Sequence, residues 1–157
     1  MLKQIRASAI APALALLPAK MSGRRAEQML LTIGLQESRF EHRRQLGNGP
    51  ARGLWQFERG GGVRGVLEFP STKALARSVC EARGVAPAVD AVHAALERDD
   101  VLAAAFGRLL LWTDPAPLPA LGEPQQAWDL YVRTWRPGKP HRHTWDDFYA
   151  QAVEELA

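Results

Sequence analysis

Apolar residues recur along this chain at the spacing of helix faces. Ala26, Leu30 and Ile33 fall at i, i+4 and i+7, which is one stripe of a 3.6-residue helix. Capping residues, glycines and prolines divide the remaining chain into similar segments. The predicted helices run over about 5–17, 22–44, 71–83, 87–96, 101–112 and 124–135, with a last one from Thr144. With 157 residues and 46% apolar composition, we expect a mainly α single domain of about seven helices over residues 1–157.

The segment between Gly53 and Phe69 is the one place where the pattern also allows strands. Val63 to Phe69 fits a short helix or a strand, so a minimal β-hairpin with Leu54 to Phe57 stays open. Arg59 is followed by three glycines, which predict a loop.

Glu37 continues the stripe of Ala26, Leu30 and Ile33 at i+11, so its carboxyl is expected to face the buried side of the helix. Burial raises the pKa of a carboxyl, and the carbonyl ends in the C-terminal half of a helix also disfavour negative charge. Both effects favour a general acid at neutral pH. The alternative is an ordinary helix-end glutamate, solvated or paired with Arg39 or Arg43.

Two motifs in order carry a family resemblance. Leu35 to Phe40 reads Leu-Gln-Glu-Ser-Arg-Phe, and Ala51 to Gln56 reads Ala-Arg-Gly-Leu-Trp-Gln. They resemble the Glu-Ser and Gly-Leu-Met-Gln motifs of the lytic transglycosylases and the related goose-type lysozymes. The similar stretch covers roughly residues 30–58. It implies a lysozyme-like fold and cleavage of the β-1,4 bond between N-acetylmuramic acid and N-acetylglucosamine in peptidoglycan.

The chain also departs from the family pattern. Trp55 stands where methionine is usual, and the Ala-Tyr-Asn-Xaa-Gly element is missing, the nearest candidate being Tyr131 to Lys139. The resemblance implies that Glu37 acts as acid and then as base, closing a 1,6-anhydro ring. Hydrolysis is the alternative, because Glu58 matches the Asp that is thought to help place the water in goose-type lysozymes. A second alternative is a non-catalytic wall-binding or virion structural domain.

Further residues are candidates for substrate binding. Indole faces suit sugar rings because they offer flat apolar area with an N–H at the edge. The candidates are Ser38, which would orient Glu37 or a substrate acetamido group, together with Trp55, Gln56, Phe57, Tyr131, Trp135 and Arg136.

Charge and composition narrow the partners and the compartment. The net charge is +3, and basic residues cluster at 39–44 and 133–143, which suits an anionic wall polymer and, on charge alone, nucleic acid equally well. We expect peptidoglycan glycan strands as the partner and no nucleic acid, because the cations do not form a recognition helix. The single Cys80 fits a reducing cytoplasm.

No cofactor or metal site is expected. His42, His93, His141 and His143 have no ligand spacing with cysteine or carboxylates. Residues 5–17 are read as a core helix rather than as a signal peptide or a membrane span, because two prolines interrupt the apolar run. A wall enzyme without a signal favours a phage-encoded lysin or virion component. We expect a monomer.

Overall fold

The computed structural model describes residues 1–157 and is mainly helical, as the sequence predicts. Eight helices follow one another, rather than about seven. Helix α1 joins three consecutive segments, Leu2–Ile5, Arg6–Ile10 and Ala11–Ala15, and a short 3₁₀ turn at Ala19–Met21 leads into α2. The others are α2 (Arg24–Ser38), α3 (Arg59–Val63 continued by Arg64–Glu68), α4 (Lys73–Arg83), α5 (Val89–Leu96), α6 (Asp100–Trp112), α7 (Pro124–Trp135) and α8 (Arg142–Leu156).

Local sequence signals explain several of these boundaries. Asp99 caps α6 by accepting a hydrogen bond from the Leu102 N–H at 3.0 Å. Gly84 ends α4 in the left-handed conformation. Proline 12 removes one N–H from α1, and the preceding segment Arg6–Ile10 widens into a π-helical turn in which the Ala11 N–H donates to the Arg6 carbonyl.

The β-hairpin considered for residues 53–69 does not form. Val63 to Phe69 and the three glycines after Arg59 belong to α3 or its end, so the expected glycine loop is also wrong. In place of a hairpin, Arg52 makes two isolated bridges, to Arg44 and to Phe57. Residues 52–57 close into a tight turn, because Arg52 and Phe57 exchange both backbone hydrogen bonds at 2.9 Å.

One hydrophobic core joins all eight helices. Helix α6 is buried along nearly its whole length and packs against α1, α4 and α7, while α2 lies along α8. The burial of α6 follows from its composition, since its apolar residues surround the helix. This arrangement brings the end of α2, the 52–57 turn and α7 together on one side of the core. No helix is both long enough and apolar enough to cross a membrane.

Candidate active site

Glu37 lies in the last turn of α2, where the buried stripe reaches the protein surface. Ala26, Leu30 and Ile33 are buried as predicted, and Glu37 is mostly covered. The helix ends immediately afterwards, because Arg39 takes the left-handed conformation. A helix that is anchored in the core along its length therefore holds the carboxyl at its surface end.

Tyr131 of α7 is the polar partner of this carboxyl. Its phenol O–H donates a hydrogen bond to Glu37 Oε2. Burial raises the pKa of Glu37 from its ordinary 4.5 to about 7, the Tyr131 hydrogen bond opposes this rise, and the negative charge of Glu58 adds to it. Burial and the neighbouring Glu37 charge raise the pKa of Tyr131 in turn. The phenol therefore stays protonated and keeps donating, and the pKa of Glu37 lies close to neutral pH.

Stacked aromatic rings hold Tyr131 in place. Its ring lies parallel to Trp145 of α8, with centroids 5.1 Å apart, and Trp128 packs against both at 5.4 Å. The Trp145 indole N–H donates to the Pro124 carbonyl at 2.9 Å, which fixes the cluster at the start of α7. Tyr131 is 2% exposed. A rigid support of this kind keeps the phenol oxygen at one position relative to Glu37.

Glu37 and Tyr131 line a cleft of about 540 Å³. A second cavity of about 550 Å³ adjoins it and shares Glu58, Trp135 and Arg136 with it. Glu58 is exposed between the two, and its charge acts on Glu37 across the cleft. The two cavities together form one groove, with both carboxyls in its wall.

Gln56, Trp135 and Arg136, three of the predicted binding residues, do lie in this cleft. Gln56 Nε2 donates to the Gly53 carbonyl at 2.9 Å, and Trp135 Nε1 donates to the Trp55 carbonyl at 2.9 Å. Trp135 keeps part of its ring exposed. The Gln56 hydrogen bond closes the 52–57 turn on itself, and the Trp135 hydrogen bond fixes α7 to that turn.

Trp55 and Phe57 are not groove residues, contrary to expectation. Trp55 is fully buried and its indole N–H donates to the Leu30 carbonyl at 2.8 Å, inside the core. Phe57 is 2% exposed and packs edge-on against Phe106. Neither ring can stack on a ligand, because other side chains already cover both. The larger indole at position 55 instead fills the core beneath the 52–57 turn.

Ser38 also has a different role from the one expected. Its hydroxyl is buried, donates to the Leu54 carbonyl at 2.6 Å and accepts from the Phe40 N–H at 3.1 Å. The hydroxyl makes no hydrogen bond to Glu37, and Ser38 does not line the cleft. Ser38 therefore links the end of α2 to the 52–57 turn, and so connects the two sequence motifs physically.

Gly53 is required by the geometry of that turn. Its φ is +82°, and a β-carbon at this position would lie 2.5 Å from the Leu96 carbonyl oxygen. Any side chain would therefore displace the turn from α5. Two of the five non-glycine residues with positive φ, Gln56 and Arg136, line the groove. Strained backbone of this kind concentrates at functional sites.

Sequence reasoning missed several groove residues. They are Gln36, His42, Gln45, Leu46, Ala51, Pro137, Gly138, Lys139 and His141. The basic cluster at 133–143 was a usable signal, because Arg136, Lys139 and His141 line this cleft. The cluster at 39–44 contributes only His42, since Arg43 and Arg44 pair with acids elsewhere. The structure contains no group of histidine, cysteine or carboxylate side chains arranged to hold a metal ion.

No known protein family, curated protein or solved structure matches the chain.

Proposed function

We propose that this protein cleaves the β-1,4 bond between N-acetylmuramic acid and N-acetylglucosamine in peptidoglycan. The observation that carries the proposal is Glu37: a covered carboxyl with a pKa of about 7, hydrogen-bonded to Tyr131 in the wall of a cleft. Such a group gives a proton to a leaving oxygen and takes one back at the same pH. Arg136 and Lys139 line the same cleft and can contact an anionic wall polymer.

The favoured reaction is that of a lytic transglycosylase. Glu37 donates its proton to the glycosidic oxygen, and the bond from that oxygen to C1 of the muramic residue breaks. The 6-hydroxyl of the same residue then bonds to C1, and its proton passes to the Glu37 carboxylate. The product is a 1,6-anhydro sugar, and Glu37 ends in its starting protonation state. One carboxyl is enough because the substrate supplies the nucleophile.

Hydrolysis is the second candidate, and the position of Glu58 supports it. Glu58 is exposed in the same groove and its charge acts on Glu37. In this reaction Glu58 would position a water that attacks C1, as an acid and base pair does in glycoside hydrolysis. The two reactions predict different roles for Glu58 and products that differ in mass by one water.

The test compares Glu37→Gln with Glu58→Gln on purified peptidoglycan. Glu37→Gln is expected to abolish release of soluble muropeptides by at least a thousandfold while the helical circular dichroism spectrum stays unchanged. Anhydro products that Glu58→Gln still forms at a similar rate support the transglycosylase. Hydrated products that disappear in Glu58→Gln support the hydrolase. Binding of peptidoglycan without any cleavage by the unmodified protein would overturn both and support a wall-binding or virion structural domain.

We further propose that the protein acts on the wall as a phage lysin or virion component after synthesis in a reducing cytoplasm. The single thiol of Cys80, which is free and buried, supports synthesis in a reducing cytoplasm. A monomer is proposed as the working state, and sedimentation of the purified chain tests it.

A further inference from the structure

Arg108 is a buried cation without a carboxylate partner. It lies on α6, is 3% exposed, and donates through Nε to the Met21 carbonyl at 2.8 Å. Its other N–H groups make no hydrogen bond within the protein, and none of the ion pairs of the chain includes it. Charged side chains are almost never buried to this extent unless they are paired. Burial lowers the pKa of Arg108 to about 10, so the guanidinium stays charged at neutral pH.

Two adjoining cavities, of about 730 and 710 Å³, meet at Arg108. The first is lined by four cations, Lys20, Arg24, Arg25 and Arg108, and by no carboxylate. None of these four pairs with an acid elsewhere, although Arg24 donates to the Leu156 backbone carbonyl. Only two side-chain atoms, Gln28 Oε1 and Glu97 Oε1, are fully enclosed and lack a hydrogen-bond partner. The terminal nitrogens of Arg108 also lack a partner but are not among these enclosed atoms, so they are not sealed in the core. The open guanidinium therefore faces the cavities.

Trp112 brings two of these like charges together. The Lys20 Nζ lies 5.4 Å and the Arg108 Cζ 5.5 Å from the centre of its indole ring. A ring quadrupole attracts each cation but does not neutralise it. Both charges therefore remain, and an anion bound beside Trp112 would be attracted by both.

The first turn of α2 adds to the same positive field. Gly23 precedes the helix without a side-chain cap, and Gly23, Arg24, Arg25 and Ala26 all line the first cavity. The uncapped N–H groups at the start of a 15-residue helix favour an anion. This contribution has the same sign as that of Arg108, which lies in the wall of that cavity.

The second cavity is apolar. Phe69, Leu111, Pro115, Pro117 and Leu118 supply much of its wall, and the prolines come from the stiff segment after α6. Its one acid, Asp114, is already paired with Arg133 through hydrogen bonds of 3.0 and 3.3 Å. A ligand that reaches both cavities would place an anion at Arg108 and an apolar group in the second cavity.

We propose that these cavities bind a phosphate group that carries an apolar substituent. A phosphate suits the site better than a single carboxylate, because its charge of about −1.5 to −2 matches several cations. Its oxygens also fit the planar fork of a guanidinium. Two sources share this chemistry, a soluble alkyl phosphate and the phosphomonoester headgroup of phosphatidic acid. The site is separate from Glu37, so its existence does not depend on glycosidic cleavage.

Calorimetric titration of the full chain at low ionic strength tests the proposal. The probes are hexyl phosphate, inorganic phosphate and hexanol. We expect hexyl phosphate to bind roughly tenfold more tightly than inorganic phosphate, and hexanol to bind weakly or not at all. Arg25→Gln, an exposed and unpaired position, should weaken hexyl phosphate binding severalfold, whereas Arg77→Gln, an exposed arginine on α4, should leave it unchanged.

Arg108→Met is the decisive variant. It should weaken hexyl phosphate binding by at least tenfold and, without ligand, unfold at a higher temperature than the unmodified chain, because an unpaired buried charge is replaced by an apolar chain of similar length. Unchanged hexyl phosphate binding by folded Arg108→Met would overturn the proposal. Equal affinity for inorganic and hexyl phosphate would overturn the role of the apolar cavity.

Vesicles distinguish the two sources. A lipid headgroup is identified if the protein sediments with vesicles that contain phosphatidic acid but not with phosphatidylcholine vesicles. That sedimentation should be competed by hexyl phosphate and reduced in Arg25→Gln. Hexyl phosphate binding without vesicle binding identifies a soluble phosphorylated ligand.

Discussion

Replacing Glu37 by Gln should stabilise the protein, and the gain should depend on pH. In the folded chain the pKa of Glu37 is about 7, against 4.5 for the unburied group. Below pH 4.5 the carboxyl is neutral in both states and imposes no penalty. Between these two pKa values the carboxyl has lost its proton in the unfolded chain but keeps it in the folded chain. The free energy of unfolding therefore falls as the pH rises, until Glu37 is ionised in the folded chain as well. At 1.36 kcal/mol for each pKa unit, the loss reaches about 3 kcal/mol at pH 8.

Urea unfolding of Glu37→Gln and the unmodified chain at pH 4.5, 6 and 8 measures this difference. Glutamine has nearly the same shape as glutamate but no ionised form. The free energy of unfolding of the variant, relative to that of the unmodified chain, should therefore increase by about 3 kcal/mol between the lowest and the highest pH. Glu81→Gln, on the exposed face of α4 and without a side-chain partner, serves as the reference for removing one negative charge. Muropeptide release by the same Glu37→Gln preparation should be absent, which separates loss of activity from loss of fold.

A pH-independent stability difference between Glu37→Gln and the unmodified chain would refute this reasoning. It would mean that water reaches the Glu37 carboxyl freely and that the groove does not favour its protonated form. The general-acid role would then lose its physical basis, even if the variant were inactive.

Three other predictions follow from the same geometry. Tyr131→Phe removes the hydrogen bond that favours ionised Glu37, so the pKa of Glu37 should rise. The alkaline limb of the pH profile of cleavage should then move up by about one pH unit. An unchanged alkaline limb would contradict this prediction. Trp55→Phe should lower the free energy of unfolding in urea by about 2 kcal/mol, because the indole packs in the core, while the folded enzyme keeps its activity. A selective loss of substrate affinity would instead show that Trp55 contacts the substrate. Gly53→Ala should lower the free energy of unfolding by about 3 kcal/mol, and Gly84→Ala by only about 1 kcal/mol. Both glycines have positive φ, but only a β-carbon at Gly53 would meet a backbone oxygen. Equal melting temperatures of the two variants would show that the 52–57 turn can move.

Local signals made the helices predictable. The bounds of α7 and the cap and end of α6 follow from proline, aspartate and apolar spacing over a few residues. The region from 53 to 69 was harder, because a glycine-rich sequence has little intrinsic preference. Only contact with the core decides that Val63 and the residues after it are helical.

The sequence by itself determined that Glu37 lies on the buried stripe of its helix, because helical periodicity is a local property. It could not determine that Tyr131, which is 94 residues away along the chain, donates to that carboxyl. Nor could it show that Trp55 packs in the core, or that Ser38 joins the end of α2 to the 52–57 turn. The tertiary structure decided these points, because burial and hydrogen bonding depend on which distant helices meet. The same holds for Arg108, whose lack of a partner is visible only once all surrounding side chains are in place.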